Sequence, residues 1–466
     1  MQTAIWWIRR DLRLTDNQAL TAAYKAASMV IPLFIIDPIF EQSNYVGSKR
    51  QAFLWEGLQV LHQALCALGS RLIIRRGVPE EVLVKLMRET GAEAIFAEED
   101  YSNLARRRDG RIVKTLPLKL VGAPCVRPPG TVVKADGTPY TVFTPFSRAW
   151  KAQLLPAQTD ILCAPTQINT PANLSTELVS NLVQGEAAVS FPAGEQTAQK
   201  RLQYFVQTSI ADYADARNYV AQAGTAHLSP YLRFGMLSAR QAVVAALRAC
   251  ETAADAPQQK SAETWLNELI WREFFIHILY HFPFVAEMSF RERYRNLAWR
   301  NNVEAFDQWC NGRTGYPIID AAMRQLSQTG WMHNRARMLV ASFLVKDLLI
   351  DWRWGERWFM QNLIDGDPAA NNGGWQWAAG TGTDAAPYFR VFNPITQSQK
   401  FDPAGKYIRQ WLPELAALDN KQIHAPWRVP LLDQYRIGCV IGRDYPAPIV
   451  DHKLARQRAL DFFKLP

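Results

Sequence analysis

The chain is short of paired cysteines, of histidine and of long apolar runs, and each shortage removes a class of protein. Its six cysteines (Cys66, Cys125, Cys163, Cys250, Cys310 and Cys439) are scattered, with no C-x-x-C pair. That pattern excludes a disulfide framework and suits a reducing, cytoplasmic compartment. Seven histidines never form H-E-x-x-H. Glu273, His277 and His281 follow at four-residue steps, a spacing that could hold a metal; the plainer reading is a lining of core and surface histidines, and no metal is expected. The most apolar run, RMLVASFLVKDLLI, is broken by Lys346 and Asp347. It reads as a buried helix and not as a membrane span. The opening MQTAIWWIRRDLRL is a charged strand and lacks the form of a signal peptide. There is no internal repeat and no low-complexity tract. No G-x-G-x-x-G follows the first strand; Arg9-Arg10-Asp11-Leu12-Arg13 stands there instead. Dinucleotide binding in this half therefore has no motif support.

What is present is basic charge and tryptophan. The formal net charge is +9, which suits a polyanionic partner. Sixteen tryptophans exceed what a core needs and suggest stacking on flat ligands or electron transfer. The 466 residues allow two or three domains with ample core.

Short apolar runs at Ala4–Ile8, Met29–Ile36, Arg71–Arg75 and Ala94–Glu99 alternate with amphipathic stretches such as Ser48–Leu68 and Pro79–Thr90. That alternation predicts an α/β, Rossmann-like doubly wound parallel sheet over residues 1–128, with any ligand at the carboxyl ends of its strands. Residues 129–196 are rich in Pro, Gly, Thr, Asn and Ser and read as an interdomain linker, with a more structured island at Phe143–Trp150. Residues 197–466 are helical in period, most clearly at Thr197–Ala221, Ser238–Ala253, Ala262–His281, Tyr316–Thr329, His333–Leu349 and Glu356–Leu363.

The densest stretch is Asp365–Pro394. It opens with Asp365-Gly366-Asp367 and continues with Asn371-Asn372, Gly373-Gly374 and Trp375-x-Trp377. Glycine and asparagine pairs weaken a helix, so a loop and helix end is expected here, close to something large and flat with polar edges. In WLNELIWREFF, Glu268, Trp271 and Arg272 share one helix face, with Trp265 a turn earlier. A surface Glu268–Arg272 ion pair has the same spacing. Asn334 and Met338 stand at i and i+4, with Arg335 and Arg337 between them; a cap and core filler would look alike. Thr225 and Ser229 precede Pro230 at a helix start, where hydroxyls and free N–H groups suit a phosphate, although capping alone gives this pattern.

Taken together these segments resemble the photolyase/cryptochrome family of flavoproteins. The resemblance runs from WWIRRDLRLTDNQAL to PIVDHKLARQRAL and is densest from Thr314 to Pro394. Within the family it is nearest to the class I cyclobutane pyrimidine dimer photolyases of bacteria. It implies light-dependent repair of DNA by a monomer, with one FAD in an all-α C-terminal domain. By the same resemblance, Tyr213 and the loop Thr225, Ala226, His227, Leu228 and Ser229 hold the FAD phosphates. Trp265, Arg272, Arg337, Asp365, Gly366 and Asp367 line its other edges, and Asn371 faces the flavin N5. Glu268 hydrogen-bonds the damaged pyrimidine pair, Asn334 contacts base and flavin, Trp271 and Trp377 wall the lesion pocket, and Met338 packs on it. Trp375, Trp352 and Trp299 carry an electron inward to photoexcited, oxidised flavin. Arg335 and Arg390 are candidates for the DNA backbone.

Two departures stand out. Ala226 and His227 occupy positions where relatives often carry a Ser and a Gly or basic residue. In EEDYSNLARRRDG, Ala105 replaces the acidic side chain of folate binders; Asp100 is kept as in deazaflavin binders, but Ser102 stands where those often have Glu. The antenna chromophore, 8-hydroxy-5-deazaflavin, methenyltetrahydrofolate, another flavin or none, stays open. The family also contains cryptochrome light sensors and (6-4) photolyases. Glu268, Trp377 and the Asn334/Met338 pair speak for dimer repair, as does the lack of a long tail after Phe463.

Overall fold

Five short runs form a single parallel sheet in the computed structural model, which describes residues 1–41, 43, 45–178 and 191–464. The strands are β1 (Thr3–Ile8), β2 (Met29–Ile36), β3 (Ile73–Arg76), β4 (Ala94–Ala97) and β5 (Leu118–Leu120). Their order is β3-β2-β1-β4-β5, and every pairing is parallel. β1 is buried along its whole length, as a strand covered on both faces must be. The connections carry α1 (Gln18–Ala26), α2 (Ser48–Ala67), α3 (Pro79–Thr90) and α4 (Asn103–Thr115). Ile5, Trp7, Leu33, Ile73, Leu83 and Ile95 belong to one apolar cluster of this layer. The doubly wound sheet is thus as expected, with β5 as an added strand. β5 hides in LPLKL because three residues after a proline show no usable period. The strand order reverses between β1 and β4, so the segments after these strands, Arg9–Arg13 and Glu98–Tyr101, flank the switch point where such sheets bind ligands.

Two compact units emerge. The first is Met1–Ala211, Ala226–Pro283 and Ile364–Ala369; the second is Asp212–Thr225, Phe284–Leu363 and Ala370–Pro466. Beyond its sheet, the first contains α5 (Phe143–Ala152), α6 (Glu195–Thr208), α7 (Ser229–Phe234), α8 (Ala239–Glu251) and α9 (Ala256–His281). The expected linker 129–196 includes residues 179–190, which lie outside the described residues. The later helices include α10 (Val303–Cys310), α11 (Pro317–Thr329), α12 (Asn334–Ser342), α13 (Trp352–Asn362), α14 (Pro368–Ala379) and α15 (His452–Phe462). Trp309, Met323, Leu339, Phe343, Trp352, Phe359 and Trp375 lie in one core cluster of the second unit. Among the described residues no helix is long and apolar enough to cross a membrane.

Three helical expectations need correction. The helix expected over Thr197–Ala221 stops at Thr208; a 3-10 turn at Ile210–Asp212 and one turn at Tyr213–Ala216 follow. Thr208 and Ser209 hydroxyls meet each other at 3.1 Å, and Thr208 also bonds the Tyr204 carbonyl; such local bonds compete with the helix. The run His333–Leu349 is not one α-helix. α12 ends at Ser342 and widens into a π-turn, Phe343–Asp347, before Leu349 takes φ +50°. The wide turn aims both charges inward: Lys346 Nζ donates to Ala379 O at 2.9 Å, and His452 bonds Asp347 at 2.5 Å. Finally, Asn371–Trp377 is helix and not loop, since α14 runs through the Gly pair. Side-chain anchors outweigh propensity there. Asn372 Nδ2 donates to Val285 O at 2.8 Å, and Gln376 Nε2 reaches the same carbonyl at 2.9 Å.

Candidate functional site

Consider first the residues of the sheet-bearing unit. α9 starts on Asp255, whose carboxylate accepts from Gln258 N. It carries Trp265, Glu268, Trp271 and Arg272 within two turns. Trp265 is buried against Phe205, with ring centroids 5.0 Å apart. Glu268 is half-buried. Trp271 lies face to face with Phe143 of α5, at 3.8 Å between centroids and 5° between planes. Parallel sandwiches are less favourable than edge contacts. This one is held because Phe274 packs edge-on to both rings. Arg272 is not spent on Glu268. It donates to Pro124 O at 2.6 Å and to Leu232 O at 3.3 Å. Burial lowers its pKa, while Asp367 pulls it back up.

The short segment Asp365-Gly366-Asp367 sits in an arginine cage. Asp365 is buried. Gly366 O accepts from Arg233 Nε at 2.8 Å and Arg50 Nη1 at 3.0 Å. Asp367 accepts from Arg10 Nη2 at 2.6 Å and, through its other oxygen, from Ala369 N at 2.9 Å, which opens α14. Burial and the neighbouring Arg10 push the Arg233 pKa down to about 9, with Asp367 opposing. Glu273, the candidate metal carboxylate, is instead a buried structural acceptor for Val126 N, Arg127 N and Trp150 Nε1.

In the loop Thr225–Ser229, His227 has φ +51°. That explains why a glycine would also be at home here. Burial, with help from Arg201, lowers the His227 pKa to about 4, so without a bound anion the ring is neutral near pH 7. α7 is only six residues long and adds little dipole. What the loop offers is turned backbone N–H groups and Thr225 Oγ1, which is buried without a hydrogen-bond partner among the described residues.

In the second unit, Asn334 is the exposed first residue of α12. It is not the cap: His333 is, accepting from Arg335 N at 3.1 Å. Met338 follows a turn later, half-buried. Arg337 Nε donates to Met332 O at 2.8 Å. Arg335 is engaged by Asn218 and lies over Phe401 at 4.4 Å. Arg390 is exposed, 5.5 Å from the Phe392 ring, and is the more available of the two for a phosphate. Tyr213 is buried beneath Arg217 at 5.4 Å.

Asn371 donates from Nδ2 to Glu356 O at 3.0 Å and to Glu356 Oε1 at 2.9 Å. Both partners are acceptors, so they demand the NH2 and fix which way round the amide sits. The amide oxygen faces the other way. Trp375 is buried edge-on to Phe359 at 5.0 Å and to Trp309 at 6.0 Å. Its indole N–H has no partner among the described residues. Trp352 belongs to the same cluster, and Trp299 and Trp377 pack against it. Trp299 also meets Phe462 at 5.3 Å and Phe463 at 5.8 Å.

With this geometry in hand, comparison with known proteins is direct. The family profile for DNA photolyase matches residues 4–166, and that for the FAD binding domain of DNA photolyase matches residues 265–465. A deoxyribodipyrimidine photo-lyase of Salmonella typhimurium is 42% identical over 480 residues, covering 100% of this chain and 99% of its own. The chain belongs to the DNA photolyase family. Among solved members, a class III photolyase from Agrobacterium tumefaciens superposes with a TM-score of 0.93 at 36% identity, covering 100% of this chain and 97% of that one. A cryptochrome from Synechocystis sp. superposes at 0.91 with 30% identity, covering 99% of each. The photolyase fold therefore accounts for both the sheet and the helical part.

Sequence reasoning missed four residues that hold candidate site residues in place: Arg10 against Asp367, Phe143 against Trp271, Glu356 against Asn371 and Trp309 against Trp375. Arg10 was visible in the charged run after β1, the place where a doubly wound sheet presents its ligand loops. Glu356, Phe143 and Trp309 carried no signal, because their roles come from packing partners remote in sequence.

Proposed function

We propose that this chain splits cyclobutane pyrimidine dimers in DNA under blue light, using bound FAD. The observation that carries the reading is on α9: a half-buried carboxyl, Glu268, stands beside an indole, Trp271, whose plane is fixed by Phe143. A dimer has flat apolar faces and carbonyl edges, and those two side chains complement both. It can reach them only after leaving the duplex, and photolyases are among the enzymes for which such extrusion is the rule. The relatives' shared name, deoxyribodipyrimidine photo-lyase, points the same way.

The residues also suit the cofactor. Thr225 Oγ1 is an unspent buried hydroxyl in the loop proposed for the phosphates, and Asn371 offers an amide oxygen of fixed orientation for the flavin N5 edge. FAD, when bound and reduced, supplies the electron that light makes available. The protein does the rest. Tyr213, Thr225, Ala226, His227, Leu228 and Ser229 hold the phosphates; Trp265, Arg272, Arg337, Asp365, Gly366 and Asp367 orient the rings. Trp271 and Trp377 exclude water from the lesion, with Met338 and Asn334 beside it. The carboxyl O–H of Glu268 donates to a pyrimidine carbonyl and so stabilises negative charge there. Trp375, Trp352 and Trp299 would relay an electron from an external reductant at the surface inward to oxidised flavin. Arg390 and the net charge of +9 hold the DNA backbone, so affinity falls steeply with salt.

The deciding assay uses a dimer-containing oligonucleotide and the reduced protein, lit and dark. Light-dependent loss of dimers is the expected result. Flavin binding without that loss would make the chain a light sensor. The absorption spectrum of the purified protein reads the flavin and shows whether an antenna accompanies it.

A further inference from the structure

Asp367 poses a problem of charge. Repair works from the reduced, anionic flavin, and a carboxylate lining the ring opposes that charge. The structure gives Asp367 a close counter-ion. Arg10 Nη2 lies 2.6 Å from its Oδ2, whereas Arg233 Nε is 3.9 Å away and donates to Gly366 O. Arg10 also reaches Asp100 Oδ1 at 3.6 Å. It cannot retreat. Its Nε donates to Arg233 O at 3.2 Å, and Leu12 N donates to Phe234 O at 3.1 Å. The end of α7 closes on it so tightly that a Cβ on Gly235 (φ +63°) would lie 1.8 Å from Arg10 O. The remaining space is a small cavity lined by Arg10, Tyr101, Ser102, Pro124, Asp367 and Ala369, among others. None of the repair steps uses Arg10.

We infer that Arg10 is a positioning residue for the flavin's redox state: it offsets the Asp367 carboxylate and so favours the reduced, negatively charged form. The inference rests on the reading that Asp367 lines the flavin. Arg10 stays charged, because Asp367 and Asp100 outweigh its burial and raise its pKa. Arg233 is a poor substitute, since its Nε lies 3.9 Å from Asp367 Oδ2 and is already given to Gly366 O. A unit charge within about 10 Å, at an effective dielectric constant of about 20, changes an equilibrium roughly ten-fold or more. Removing Arg10 should therefore weaken binding of reduced relative to oxidised FAD by about ten-fold. By linkage that equals a drop of about 30 mV in the two-electron midpoint potential.

The test is spectroelectrochemical titration of FAD bound to wild type, Arg10→Gln, Arg10→Lys, Asp367→Asn and the Arg10→Gln/Asp367→Asn double variant. Arg10→Gln should lower the potential and Arg10→Lys should restore most of it. Asp367→Asn alone should raise it, and the double variant, which removes both opposite charges, should return close to the wild-type value. An unchanged potential in Arg10→Gln with FAD bound overturns the inference, as does a double variant whose potential stays as low as that of Arg10→Gln. If Arg10→Gln does not fold, Asp367→Asn decides, and an unraised potential there is the overturning result. Wild type that binds no FAD would instead sink the reading beneath it.

Discussion

Replacing Gly355 by alanine sets two effects of known sign against each other. Gly355 lies within α13, where alanine gains about 1 kcal/mol of helix propensity. Against that, an added Cβ would lie 2.1 Å from Trp375 Cη2, 2.5 Å from Cζ3 and 2.7 Å from Leu344 Cδ2. Carbon atoms prefer about 3.5–4.0 Å, so the indole would have to withdraw by more than an ångström. It has nowhere to go, being 2% exposed with Phe359 and Trp309 against its edges. Overpacking of this kind costs about 1–3 kcal/mol. The net expectation is a loss of up to about 2 kcal/mol, together with slower photoreduction of oxidised flavin, because the first tryptophan of the proposed chain has shifted. Denaturant unfolding and the bleaching of the oxidised flavin band under blue light measure the two effects. A variant about 1 kcal/mol more stable than wild type, with unaltered bleaching, would show that Trp375 does not pack where it is placed.

Burial of Lys346 lowers its pKa from 10.5 to about 7, although the α14 carboxyl end and the Phe463 ring at 3.7 Å favour its cation. In the unfolded chain it binds its proton up to the ordinary value. Its contribution to stability should therefore rise with pH between about 7 and 10.5, by at most about 1.4 kcal/mol per unit. Lys346→Met should flatten that rise in unfolding curves taken across the window, and an identical slope in variant and wild type would refute it. Trp299→Phe should slow photoreduction of oxidised flavin several-fold yet spare repair by flavin already reduced; equal photoreduction rates would remove Trp299 from the electron route. Glu268→Ala should cut the repair yield per photon several-fold with only modest loss of damaged-DNA binding, and an unchanged yield would strip Glu268 of its role.

Four of the five strands could be read from sequence because each is a short, mainly apolar run whose main need is burial, and periodicity reports burial. The breaks in the helical part could not. Thr208 and Ser209 stop a helix through hydroxyl competition, and the π-turn at Phe343–Asp347 exists because Lys346 and Asp347 both find partners inward; neither leaves a trace in the apolar period. The Gly pair in α14 misled in the opposite sense. Propensity argued for a loop, while Asn372 and Gln376, tied to Val285, make a helix. At the site, α9 was legible because spacing alone puts Trp265, Glu268, Trp271 and Arg272 together. The partners that orient the site were not. Phe143, Glu356 and Arg10 earn their roles from neighbours more distant in sequence, fifteen residues in the case of Glu356 and Asn371 and 357 in that of Arg10 and Asp367.

The clasp between Glu356 and Asn371 also limits how this protein can drift. An aspartate at 371 would set one carboxylate against another, and a leucine at 356 would leave the amide only the backbone carbonyl of its two acceptors. Either single change therefore passes through a damaged intermediate. Positions 356 and 371 should be inherited as a unit, altering together or staying as they are.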